Sequence, residues 1–112
     1  MDYRVRIILM KNDQKVFGEG PLMLLKKVEE TGSLRQAALA IDMSYSKAWT
    51  IINNIEKELN ISMLNRSVGG SQGGGSSLTV ESQKLMERYE EIKRKTNEFV
   101  RKEISNLEKE FI

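Results

Sequence analysis

Ser44, Tyr45, Ser46, Lys47, Thr50 and Asn54 fall within a few turns of one another, and all of them make hydrogen bonds rather than break covalent ones. Hydroxyls bond phosphate oxygens or base edges, an ammonium reaches phosphate or guanine, and a carboxamide matches adenine. Among 112 residues there is no histidine and no cysteine. The usual general base, thiol nucleophile and zinc ligands are therefore missing. No converging carboxylates stand out, so no enzyme, cofactor or metal site is expected. The glycines of residues 69–75 match neither G-x-x-x-x-G-K-[ST] nor G-x-G-x-x-G.

Those polar residues need an element to carry them. Ala48, Trp49, Ile52, Ile55 and Leu59 recur every three or four residues, predicting a helix from about Tyr45 to Leu59 with that stripe buried. Its other face shows Ser46, Lys47, Thr50, Asn53 and Asn54, with Lys57 further along. Ser44 caps it, contacts phosphate, or does both. Before it, Ser33 opens a shorter helix, with Gln36 completing a capping box and Ala37, Ala38 and Ala40 keeping it slim. Ile41-Asp42-Met43 is the turn between the two. Gly20-Pro21 opens an earlier helix, proline at its first position, and Gly32 stops it.

Met63-Leu64-Asn65-Arg66 and Ser77-Leu78-Thr79 read as two short strands around a glycine-rich loop, either a wing tip or a plain linker. Helix, turn, helix and hairpin in that order predict a winged helix-turn-helix, mainly α with a small β component. The 45–59 helix is its recognition helix and residues 66–79 its wing. Arg35 then faces the DNA backbone and Arg66 enters the wing; alternatively, either pairs with Glu56 or Glu58.

Residues 3–10 alternate, placing Tyr3, Val5, Ile7 and Leu9 on one face, and Lys15-Val16-Phe17 returns after a turn as a second strand. This ribbon either covers its own domain or contacts a second chain. From the Thr79 cap, one helix runs nearly to the end, with Leu85, Tyr89, Ile92, Thr96, Phe99 or Val100, Ile104, Leu107 and Phe111 along its stripe. About 30 helical residues reach ~45 Å, more than so small a domain covers, so much of that stripe is expected to meet another molecule. The domain boundary is expected at residues 80/81: a DNA-binding unit over 1–80 and a long dimerisation helix over 81–112.

Net charge is only +2. Residues 1–80 carry 10 basic and 8 acidic side chains, and the remainder 8 of each, so position rather than bulk charge must support any nucleic-acid reading. No apolar run approaches the ~18 residues of a membrane span, and the first residues do not resemble a secretory signal. A cytoplasmic location away from membranes is the expectation.

Residues 33–66 resemble the helix-turn-helix of LysR-type regulators in Ser33-Leu34-Arg35-Gln36-Ala37-Ala38, Ile55-Glu56-Lys57-Glu58-Leu59 and Leu64-Asn65-Arg66. They are more similar still to the N-terminal DNA-binding domain of the molybdate-responsive ModE family. That likeness rests on Gly32-Ser33-Leu34-Arg35-Gln36-Ala37-Ala38, on Met43-Ser44-Tyr45-Ser46-Lys47-Ala48-Trp49, and on the arginine, glycine wing and Leu78-Thr79 that follow. The resemblance implies a repressor or activator that dimerises through the ribbon and the long helix. Its two recognition helices would enter successive major grooves about 34 Å apart. Ser71-Gln72 stands where the family usually places a basic wing residue. With the sequence ending at Ile112, no molybdate-binding domain is expected, and molybdate is not expected to bind this chain.

Double-stranded DNA, bound by a homodimer, is thus the expected partner. Arg35, Ser44, Tyr45, Ser46, Lys47, Thr50, Asn54 and Arg66 are the expected contacts. The rival expectation is a winged-helix interaction module that acts on a partner regulator without touching DNA.

Overall fold

A computed structural model describes residues 1–66 and 75–112 of the chain. In order, the elements are β1 (Leu9–Lys11), β2 (Gln14–Phe17), α1 (Glu19–Thr31), α2 (Leu34–Ala40), α3 (Tyr45–Leu59), β3 (Leu64–Arg66), β4 (Ser76–Leu78) and α4 (Val80–Phe111). Two antiparallel pairs, β1–β2 and β3–β4, flank the helices. The core gathers Phe17, Leu24, Leu25, Val28, Ile52, Ile55, Met63 and Tyr89, all fully enclosed. Ala37 and Ala38 are buried too, and their small volume lets α1 and α3 close on α2. Ala40 faces outward instead.

Local signals explain the boundaries. Gly32 ends α1 in the left-handed region (φ 70°), its N–H bonding the Val28 carbonyl. α1 begins at Glu19, so Pro21 is its third residue rather than its first. It is harmless there, because the first-turn N–H groups have no intrahelical acceptor. Ser33 Oγ accepts the Gln36 N–H at 3.1 Å. The reciprocal half of the expected capping box is replaced, since the Ser33 N–H donates to Thr31 Oγ1 at 3.3 Å. Ser44 and Thr79 cap α3 and α4 through the amides of Lys47 and Ser82.

The N-terminal ribbon is shorter than its alternation predicts. Pairing begins only at Leu9, around a tight turn with Asn12 and Asp13 at φ 52° and 63°. Among the described residues, residues 1–8 have no partner strand, and they lie along α4 instead. The Tyr89 hydroxyl donates to the Ile7 carbonyl at 2.7 Å, the Tyr3 hydroxyl to the Asn97 carbonyl at 3.3 Å, and the Met1 ammonium meets Glu108 at 3.1 Å. Val5, Ile7 and Leu9 are half-buried on the inner side, as the alternation requires, whereas Tyr3 is exposed.

β3 and β4 pair Leu64 with Leu78 and Arg66 with Ser76. The expected glycine wing between them, residues 67–74, lies outside the described residues. The base of the hairpin is fastened on two sides. Ser76 N–H donates to the Gly32 carbonyl at 2.8 Å, and the Met63 peptide joins two helices. Met63 N–H donates to a Glu56 carboxylate oxygen of α3 at 2.8 Å. Its carbonyl accepts both the Thr79 N–H and the Ser82 hydroxyl at the start of α4.

α4 has 32 residues and sets the long axis of a 64 × 28 × 23 Å molecule. Its buried residues, Ser82, Met86 and Tyr89, all lie in its first third. Beyond them the apolar stripe is only partly covered: Thr96, Val100 and Ile104 are half-buried, whereas Phe99 is 66% and Phe111 79% exposed. No helix among the described residues is long and apolar enough to cross a membrane.

Candidate nucleic-acid interface

α3 presents its polar residues as its stripe predicts, with two adjustments. Ala48, Ile52 and Ile55 are fully enclosed. Trp49, however, is only half-buried, and Leu59, on the last turn, is 38% exposed. At 3.6 residues per turn, that centre of burial turns Ser46, Thr50, Asn53 and Lys57 outward. All four are exposed, as are Ser44 and Lys47.

Two of these side chains, Ser44 and Thr50, arrive with some of their bonding capacity spent. Ser44 Oγ caps the helix by accepting from Lys47 N–H at 3.1 Å, leaving its own hydroxyl proton free. The Thr50 hydroxyl donates back to the Ser46 carbonyl at 3.0 Å. What Thr50 then offers outward is an acceptor lone pair and a methyl group, which suit an amino donor and a thymine methyl. Lys47 and Lys57 form no ion pair among the described residues.

On the α2 side of this face, Arg35 stacks its guanidinium over the Tyr45 ring, 4.3 Å from the centroid. Tyr45, 37% exposed, in turn meets Trp49 edge to face with ring centroids 6.1 Å apart. The stack holds a planar cation by its face and leaves its N–H edge available, the geometry that suits a phosphate. Arg35 therefore meets neither Glu56 nor Glu58. Glu56 bonds Met63, and Glu58 approaches Lys11.

Asn54 is placed differently from its neighbours. It is half-buried, and its amide donates to the Lys15 carbonyl of β2 at 3.0 Å. In this arrangement it holds the ribbon against α3. The same seam encloses a cavity of about 240 Å³ lined by Lys15, Val16, Gly20, Pro21, Met43, Lys47, Ile51 and Asn54. Lys15 is a residue that spacing could not find, because nothing local joins the ribbon to a helix so much later in the chain. The expected contact from the Arg66 side chain lies outside what is described. Among the described residues no group of three or more acidic, histidine or cysteine side chains is gathered to hold a metal.

Residues 21–83 match the family model described as bacterial regulatory helix-turn-helix protein, lysR family. Transcriptional regulator ModE of Yersinia pestis is 32% identical over 85 residues, which is 75% of this chain and 32% of that protein. ModE of Haemophilus influenzae is 35% identical over 71 residues, 63% of this chain and 28% of its own length. The DNA-binding transcriptional dual regulator ModE of Escherichia coli K12 is 33% identical over 85 residues, 75% of this chain and 32% of its own. The chain thus spans about a third of the length of these relatives. Among solved structures, the DNA-binding domain of CbnR in complex with DNA superposes with a TM-score of 0.54 at 22% identity. That superposition covers 73% of this chain and 92% of that one, a likeness of fold.

Proposed function

This chain belongs to the bacterial regulatory helix-turn-helix proteins of the lysR family, and from that premise we propose that it binds duplex DNA as a homodimer to regulate transcription. The family is regulatory rather than catalytic. α3 enters the major groove with its N-terminal turns foremost. Thr50 and Ser46 meet base edges, and Lys47 reaches guanine or phosphate. Ser44 and Arg35 bind backbone phosphates, with Tyr45 supporting Arg35. Arg66 follows the wing toward phosphate or the minor groove. α4 supplies the dimer contact through the stripe beyond Tyr89, which bears Phe99 and Phe111 in the open.

One observation carries the reading: the outward face of α3 combines short hydrogen-bonding side chains with lysines that no carboxylate neutralises among the described residues. An ordinary surface helix would carry paired long charges there. The exposed aliphatic and aromatic residues of α4 support the dimer, because a monomer gains nothing by holding them in water.

The test is a salt titration of the whole chain against random duplex and against duplex selected from a random pool. Log affinity should fall linearly with log salt, with a slope set by the phosphates neutralised, and the selected duplex should bind more tightly at every salt. No binding at low ionic strength, or binding indifferent to salt, would remove the reading.

A further inference from the structure

The ribbon side of α3 carries a positive edge of its own. Lys15 and Lys47 line one cavity of about 240 Å³, whose apolar wall comes from Val16, Pro21, Met43 and Ile51. Both lysines are exposed, and neither forms an ion pair among the described residues. Glu19, just past the ribbon, is held elsewhere by Lys93 at 2.6 Å. Lys15 is also anchored. Its carbonyl takes the Asn54 amide at 3.0 Å, and its side chain lies across Gly18, where an added Cβ would come within 3.1 Å of Lys15 Cε.

The position of this edge matters as much as its charge. Residues 45 and 47 are two apart, so they stand about 200° apart around the axis of α3. The Arg35–Tyr45 stack and the Lys15–Lys47 pair thus occupy opposite flanks of the helix, with Ser46, Thr50 and Asn53 between them. A major groove about 12 Å wide is walled by two phosphodiester strands, one on each side of an inserted helix.

We propose that Lys15 and Lys47 form a phosphodiester clamp on one wall of the major groove, opposite the strand held by Arg35. The inference rests on the DNA-binding reading and deepens it. It gives the N-terminal ribbon a direct role on DNA and assigns Lys47 to backbone instead of base. Such contacts set register without reading sequence.

Lys15→Gln in the full chain should weaken binding to selected and random duplex alike and lower the salt slope by about 0.9. Lys15→Gln with Lys47→Gln should lower it by roughly twice that and leave the preference among sequences intact. Lys15→Arg should keep the wild-type slope. If Lys15→Gln leaves slope and affinity unchanged while Arg35→Gln reduces both, the clamp is wrong and DNA binding stands. If Lys47→Gln alters sequence preference, Lys47 belongs to base edges and the clamp falls. Absence of any wild-type binding would remove the parent reading, and this inference with it.

Discussion

Along α4, Arg88 and Lys95 reach Glu91 at 3.3 and 2.9 Å, and Arg94 and Lys102 lie 3.9 Å from Glu98, whereas Lys47 and Lys57 of α3 meet no carboxylate among the described residues. Both helices are amphipathic, but they dispose of charge in opposite ways. α4 neutralises Glu91 and Glu98 at helical spacing and Glu90, Lys93 and Glu108 against α1 and the N-terminus, and it leaves part of its apolar stripe in solvent. α3 buries the centre of its apolar stripe and engages its carboxylates, but among the described residues it leaves its lysines without an ionic partner. A net charge of +2 says little about either. What distinguishes the proposed binding helix from the long helix is which property each leaves unsatisfied.

The largest test of that contrast acts on α4. Phe99→Asp with Leu107→Asp should give a monomer by light scattering and weaken DNA binding by about 100-fold or more, since two linked half-sites gain that order of avidity. Circular dichroism should show the helices retained. A monomer with full affinity would break the comparison. Next comes Thr50→Ala on α3, expected to reduce discrimination at one base position by roughly 1–3 kcal/mol with little change in salt slope. Selection of bound sequences by the variant reads this directly.

Tyr89 marks where α4 leaves the core, and its test is one of stability. Tyr89→Phe loses the donor to the Ile7 carbonyl and should cost about 0.5–1.5 kcal/mol in urea unfolding. Burial, assisted by the Glu19 carboxylate, raises the Tyr89 phenol above its ordinary 10.0. A raised folded value means that the protonated phenol stabilises the fold. The contribution is complete below about pH 10 and is lost as pH climbs through the raised value. Wild type should therefore lose stability on that alkaline limb, and Tyr89→Phe should lose less.

Smaller still is the support Tyr45 gives Arg35. Tyr45→Leu should weaken binding to all duplexes about two- to fivefold, Tyr45→Phe should not, and Arg35→Ala should abolish the difference between them. Smallest of all is Glu91→Gln. Although the Lys95 hydrogen bond and charge, helped by Arg88, hold the Glu91 carboxyl below its ordinary value, the pairs are exposed. DNA affinity should change by less than about twofold. A large change would mean that α4 charges act on DNA as α3 charges are proposed to.

Features set by neighbours in sequence were legible in it. Period 3.6 placed Ala48, Ile52 and Ile55 inward, and the Ser44, Thr79 and Gly32 caps fixed the ends of their helices. Features that need a distant partner were not. Alternation over residues 3–10 reads as a strand, but a strand forms only where another pairs with it, and residues 1–8 met a helix instead. Asn54 sits on the polar face by spacing, yet the Lys15 carbonyl arrives from the ribbon and takes its amide. Arg35 and Tyr45 stack across two helices, a contact that neither helix's own periodicity encodes.

The Met63 peptide has a mechanical consequence. Its N–H is gripped by a half-buried carboxylate of α3 and its carbonyl by two donors at the buried root of α4. Rotating one helix against the other would break the hydrogen bonds of this peptide, and its buried carbonyl would lose both donors. The 32-residue helix is thereby tied at its root to the helix that carries the outward lysines and hydroxyls. Two such helices, once joined, would fix the spacing and angle of both reading heads from a distance.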